Sequence, residues 1–204
     1  DKDNAVEMLS QHLITQPVFE ALFENYSFVN SNPVSKSMAN MIKLLENQAF
    51  NKELKDLEKF YESVKMRASG IDNAEGKQKI ILELYDKFFK TAFPKMVERL
   101  GIVYTPLECV DFIVKSINVI LKEEFESDIT DRNIKIIDPF VGTGTFMTRL
   151  MLNMAKQNRD DIKEKLEYKY KNELYANEII LLAYYIASIN IENTYHDIIG
   201  GDYK

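Results

Sequence analysis

The chain is poor in the residues that build metal centres and covalent cross-links. Of its 204 residues, one is cysteine, Cys109, and two are histidine, His12 and His196. A single cysteine excludes an internal disulfide and a CxxC metal site. Two histidines far apart in sequence do not make a His-rich centre, so no metal site is expected. Basic charge is also in deficit, with 26 Lys and Arg against 32 Asp and Glu and a net charge of −6. The imbalance is uneven: residues 1–100 carry 14 basic and 15 acidic side chains, and residues 101–204 carry 12 and 17. This segment alone is therefore no basic clamp for nucleic acid, and a partner domain would have to supply such a surface. No apolar run reaches transmembrane length and no signal peptide opens the chain, so no membrane role is expected. A reducing, cytoplasmic compartment fits the cysteine usage. The first residue is Asp, which reads as a piece cut from a longer polypeptide.

Glycine is scarce in the first hundred residues, where only Gly70 and Gly76 occur; the other five lie at or after Gly101. That first part reads as helices. Apolar side chains recur at three- and four-residue spacing in "NAVEMLSQHL", "PVFEALFENY", "SKSMANMIKLLENQAF", "LKDLEKFYESVKMRA" and "GKQKIILELYDKFFKTAF", with Pro94 a break or kink. From Gly101 the pattern changes. "TPLECVDFIVKSINVILKEEF" is an amphipathic helix with Val110, Ile113, Val114, Ile117 and Leu121 on one side. "IKIID" is a β-branched run of the kind found in buried strands, and "TFMTRLMLNMAKQ" is a helix. "NELYANE" reads as a second strand and "ILLAYYIASINIENTY" as a buried helix; "DIIGGDYK" starts a third strand or a loop. The alternation implies a parallel sheet. The expected fold class is α/β: a helical module over 1–100, then the truncated start of a doubly wound sheet over 101–204. Missing strands would leave apolar surface open to oligomerisation.

The loop after the first strand, "DPFVGTGTF", is the most informative stretch. Gly142 and Gly144 can adopt positive φ and admit a ligand to the backbone. The following helix offers free N–H groups, at the end of a strand where α/β sheets bind nucleotides. A P-loop is excluded, because no Lys lies between Lys135 and Lys156. The dinucleotide fingerprint GxGxxG fails at its third glycine, where Met147 stands. Asp138 at the strand end disfavours pyrophosphate and suits a cationic or hydroxyl-bearing ligand. S-adenosylmethionine has a sulfonium, an ammonium and ribose hydroxyls, and no phosphate. Glu178, at the end of the second strand, stands where ribose recognition is expected.

"DPFVGTGTF" closely resembles the cofactor motif of DNA adenine-N6 methyltransferases, and two further segments match that family in order. "GIVYTPLECVDFIV" resembles the segment before the first strand, and "YANEIILLAYYIASIN" the second strand and its helix. The order is that of the gamma class. "AVEMLSQHLITQPVFEALF" is similar to the helical coupler of type ISP restriction-modification enzymes. The resemblance implies a Rossmann-like methyltransferase fold and S-adenosyl-L-methionine as cofactor. It implies DNA, helicase and target-recognition domains as partners through a parent enzyme. It places Thr105 on the methionine moiety, with Asp138, Phe140, Gly142 and Gly144 lining the cofactor. Glu178 would take the ribose hydroxyls and Ile179 would pack on the adenine. Pro139, Thr143 and Phe146 complete the motif.

Plainer readings stand beside these. Thr105-Pro106-Leu107-Glu108 has the form of a capping box. Asp138 can cap its loop. Cys109 is expected to be buried and inert, the methionines at 147, 151 and 154 to be core, and "KQNRDDIKEKLEYKYK" to be a solvated helical extension. Asp202 is a candidate adenine contact after a third strand. The catalytic motif of adenine methylases, Asn/Asp/Ser-Pro-Pro-Tyr/Phe, is not in the chain, which has no Pro-Pro. No catalytic residue is therefore assigned, and this chain alone is expected not to methylate DNA. The alternatives are a helical coupling module without cofactor binding, or a methyltransferase acting on RNA or protein.

Overall fold

The computed structural model describes residues 2–22, 32–45, 62–63, 66, 105–157 and 160–200. The expected helices after residue 45, the kink at Pro94, Gly70, Gly76, the segment 101–104 and Asp202 lie outside the described residues, apart from helical positions at 62–63 and 66. The chain divides into two compact units, Asp1–Glu83 with Tyr203–Lys204, and Leu84–Asp202.

The first unit contains helices α1 (Lys2–Leu22) and α2 (Pro33–Leu45), packed against each other. The two segments expected on either side of Pro17 form one helix that runs through it. Asn32 starts α2: its Oδ1 accepts the Ser35 N–H at 2.9 Å, and Pro33 fills the first helical position, where no N–H is needed. Gln11, His12, Thr15, Asn32 and Ser35 are buried. Burial pushes the His12 imidazole down to a pKa of about 4, against a smaller opposing effect of its hydrogen bond with Gln16.

The second unit runs α3 (Leu107–Phe125), β1 (Ile136–Asp138), α4 (Thr145–Ala155), α5 (Ile162–Asn172), β2 (Leu174–Ala176) and α6 (Leu181–Ile199). The two strands pair in parallel, in the register Ile136↔Leu174, Ile137↔Tyr175 and Asp138↔Ala176. A parallel pair needs a crossover, and α4 and α5 provide it. Among the described residues the sheet has these two short strands, and helix dominates. β1 is shorter than "IKIID", and it is not buried on both faces: Ile136 packs on the core while Ile137 is 67% exposed. No third strand forms at "DII", because residues 197–199 complete α6; Gly200 then ends it in the left-handed region at φ 76.

Helix α4 is the centre of this unit and packs against α3, α5 and α6. Met147, Leu150, Met151 and Met154 form its buried face, at the helical spacing that places them on one side. They meet Val110 and Val114 of α3, Leu166 of α5, and Ala187 and Tyr195 of α6. Each such buried side chain contributes roughly 1.5–3 kcal/mol. The apolar side expected for α3 is only half used. Val110 and Val114 are buried and Leu121 is partly buried, whereas Ile113 and Ile117 are exposed. Cys109 is exposed, contrary to expectation, because it projects beside this open side of α3.

The extension expected to be solvated is anchored instead. In α5, Leu166 and Lys169 are buried, as is Glu173 just after it. The Lys169 Nζ sits 2.7 Å from Glu173 Oε2 and donates to the Ile134 carbonyl at 2.5 Å. Glu173 Oε1 accepts the Asn133 N–H at 2.7 Å. Burial raises the Glu173 pKa, but the contacts with Lys169 and Asn133 outweigh it and hold the carboxyl below its usual range. This charged pair fixes the entry of β1 beside the entry of β2. A second polar clamp joins α3 to α4, where the Arg149 guanidinium grips both oxygens of Asp111 and Asn153 adds a bond at 3.2 Å. The Arg149 hydrogen bond lowers the Asp111 pKa to about 2.

Candidate functional site

The carboxyl ends of β1 and β2 lie side by side, and the hydrogen-bond ladder continues past both strands. Asn177 donates its N–H to the Asp138 carbonyl at 2.9 Å, and Val141 donates to the Asn177 carbonyl at 3.0 Å. The Asn177 amide also donates to the Pro139 carbonyl at 3.2 Å. The two loops are thus zipped together before each enters its helix. Asn177 was not singled out in the sequence, although its place beside Glu178 at the strand end was the available signal.

Asp138 is partly buried, and its Oδ1 accepts the Phe140 N–H at 3.1 Å. The loop-capping role therefore exists, and it occupies one of the two carboxylate oxygens. The other takes no hydrogen bond among the described residues. Pro139 and Phe140 are exposed, Phe140 to 87%. Gly142 has φ 57, and a side chain there would meet no atom within 4 Å.

Gly144 has a packing role beside the one expected. Its φ is 87, and a Cβ there would stand 3.2 Å from Ala187 Cα and 3.3 Å from the Ala187 carbonyl oxygen. The backbone of α6 approaches this glycine closely on its Cβ side. Thr143 is buried, and its carbonyl accepts a hydrogen bond from the Asn190 amide of α6 at 2.9 Å. Phe146 is partly buried against the core. Positions 143, 144 and 146 hence fasten the loop and α4 to the rest of the unit.

Glu178 sits between the two loops. Its Oε2 accepts the Gly142 N–H at 2.9 Å, and its Oε1 accepts the N–H groups of Ile179 and Ile180, each at 2.8 Å. Ile180 is the cap residue of α6, so one carboxylate ties the glycine loop to the start of that helix. Ile179 is 81% exposed. Asp138, Phe140, Gly142, Glu178 and Ile179 accordingly cluster on adjoining loops at one end of the strand pair.

Thr105 stands apart from this description. It is exposed, α3 begins at Leu107 with Pro106 as the cap residue, and no side chain caps the helix. The capping box does not form, because Pro106 is extended at φ −55 and ψ 141 and the helix starts one residue later than the box requires.

An apolar cavity of about 540 Å³ flanks β1 on the side of α3, lined by Ile113, Ile117, Ile136, Ile137, Phe146 and Leu150 among others, with Asp138 at its rim. Among the described residues no cluster of His, Cys, Asp and Glu can hold a metal ion, and no helix is long and apolar enough to cross a membrane.

Comparison with known families matches residues 1–76 to the coupler domain of type ISP restriction-modification enzymes. Solved structures are similar as well, and three of them are as follows. One is the ATP-dependent type ISP restriction-modification enzyme LlaBIII bound to DNA, at 54% identity and a TM-score of 0.89 over 98% of this chain and 13% of that one. A second is a nuclease-deletion mutant of the type ISP enzyme LlaGI in complex with a DNA substrate mimic, at 51% identity and a TM-score of 0.89 over 100% of this chain and 16% of that one. The third is a DrdV–DNA complex solved by electron cryomicroscopy, at 34% identity and a TM-score of 0.82 over 96% of this chain and 19% of that one. No curated protein matches. The chain spans less than a fifth of each of these relatives. Residues 1–76 are thus assigned to the coupler domain of the type ISP restriction-modification enzymes, and the chain as a whole is similar to one segment of them.

Proposed function

We propose that this chain is the part of a type ISP-like restriction-modification enzyme that joins the coupler to the cofactor half of a DNA adenine-N6 methyltransferase. The α/β part would be the opening of a Rossmann-like, doubly wound sheet, and its ligand S-adenosyl-L-methionine. One observation carries the reading: two parallel strands lead side by side into loops that each hold an acid, Asp138 at the end of β1 and Glu178 two residues past β2, around a glycine loop that leads into a helix. DNA as the substrate of the whole enzyme is inferred from relatives solved with DNA.

The residues fit such a cofactor by their chemistry. Among the described residues one carboxylate oxygen of Asp138 takes no hydrogen bond, an acceptor suited to the ammonium of the methionine moiety. Phe140 and Ile179 are large apolar side chains exposed on adjoining loops, as an adenine ring would require. Glu178 supplies the acceptor for the ribose hydroxyls. The exposed Thr105, with no cap bond to hold it, is left for the methionine end. The cofactor supplies an activated methyl group on a sulfonium. These side chains bind and orient that group, and none of them touches an acceptor amine. A Pro-Pro motif to grip the target base is not in this chain.

Calorimetry with S-adenosylhomocysteine on the intact protein tests the assignment. Asp138→Ala should weaken binding by about tenfold or more, the worth of one charge-assisted hydrogen bond. Unchanged affinity would remove Asp138 from the site. A second reading rests on the coupler match alone: the chain relays movement between domains without binding cofactor. It is supported instead if S-adenosylhomocysteine gives no heat and no thermal shift.

A further inference from the structure

The Glu178 carboxylate is nearly saturated by its own backbone. An ionised carboxylate offers about four acceptor positions. Oε1 fills both of its positions with the N–H groups of Ile179 and Ile180, and Oε2 fills one with the N–H of Gly142. One position remains, whereas a ribose presents two hydroxyls. A diol that engages Glu178 through both hydroxyls must therefore displace one of the three N–H groups.

The three are not equally replaceable. Ile179 and Ile180 directly follow Glu178 in the chain and lead into α6, whose first backbone bond, from the Tyr184 N–H to the Ile180 carbonyl, is 2.9 Å. Their N–H groups are held in direction by the start of that helix and lie next to the carboxylate in the chain. Gly142 is 36 residues away on a different loop. It is a glycine at φ 57 with nothing within 4 Å of where a side chain would stand, so it has both the torsional freedom and the room to turn. Its immediate neighbours are firmly held, by the Val141 bond to Asn177 on one side and the Thr143 bond to Asn190 on the other. The Val141 carbonyl of the same peptide accepts the Gly144 N–H at 2.9 Å, so movement is confined to a tilt of this one peptide.

We propose that Glu178 is a competitive latch: its Oε2 holds the Gly142 N–H, and a ribose diol takes that oxygen and frees the peptide. This rests on the cofactor reading above, and it adds that ribose binding and anchorage of the glycine loop exclude each other at one atom. Glu178 is thus a positioning residue for the loop as well as a ligand contact.

Amide hydrogen exchange of the intact protein, read at single residues, tests this. The Gly142 amide should be protected in the protein alone. Saturating S-adenosylhomocysteine should speed its exchange by about tenfold or more while Ile179 and Ile180 keep their protection. The 2′,3′-dideoxy analogue, which lacks the diol, should leave Gly142 protected. Glu178→Ala, which has no side-chain acceptor for Gly142, should expose that amide without any ligand. The arms with the unaltered protein decide the matter if this variant does not fold. Heat of binding for S-adenosylhomocysteine with Gly142 protection retained overturns the latch and leaves the cofactor reading standing. Equal release by the dideoxy analogue also overturns it. No heat of binding overturns the cofactor reading and the latch with it.

Discussion

Replacing Gly144 by alanine separates a structural glycine from its neighbour in the same motif. Two costs add at this position. The backbone lies at φ 87, where an L side chain carries a penalty of about 1–2 kcal/mol. The new Cβ would also stand 3.2 Å from Ala187 Cα and from Ile191 Cγ1, and 3.3 Å from the Ala187 carbonyl oxygen. Two of these three atoms are backbone of α6 and cannot rotate away, so α4 must slide from α6. Overpacking of this kind costs about 1–3 kcal/mol, which brings the total to roughly 2–5 kcal/mol. Gly142→Ala is the control. Its φ of 57 is close to the left-handed minimum, and no atom lies within 4 Å of the new carbon, so only the torsional cost of about 1–2 kcal/mol applies. Urea unfolding of both variants reads the difference as a shift in midpoint at unchanged slope. Equal losses, or a larger loss for Gly142→Ala, would refute the claim that Gly144 is there for the helix contact.

Lys169→Met should cost about 3–5 kcal/mol, because it strands the buried Glu173 carboxylate, and Lys169→Met with Glu173→Leu should recover most of it; a loss under about 1 kcal/mol in the single variant would dismiss the clamp. The buried His12 makes the protein acid-sensitive. The unfolded chain takes the proton first as the pH drops below about 6.5, so stability is lost from there down and the loss levels off below the folded pKa of about 4. The shift corresponds to about 3 kcal/mol at most, and denaturation midpoints of His12→Gln across pH 4–7 should lack that part of the decline.

The motif loop was legible because its signal is local. A β-branched run, an acid, a proline and two glycines followed by helical periodicity can only be read in a few ways, and the strand, the turn and α4 lie where that pattern puts them. The methionine face of α4 was legible for the same reason of period. What was not legible depends on contacts distant in sequence. The packing role of Gly144 shows only once α6 is folded against it, 43 residues on. Lys169 looks like one charge among many in "KEKLEYKYK", and only the neighbouring entry of β1 makes it a buried partner of Ile134 and Glu173. Cys109 has the neighbours of a core residue in sequence, but α3 turns just half of its apolar surface inward. The capping box failed by one residue, a shift that periodicity alone does not resolve.

The buried Lys169 amine has a chemical consequence. Its side chain is fully shielded, while Lys171, two positions on, is 59% exposed. An amine-selective reagent such as an acid anhydride will therefore modify Lys171 in the folded protein and leave Lys169 untouched until α5 parts from the entry of β1. The ratio of label at these two lysines, within a single peptide, is a built-in clock for the opening of this layer. It needs no engineered probe, because the faster site calibrates the slower one.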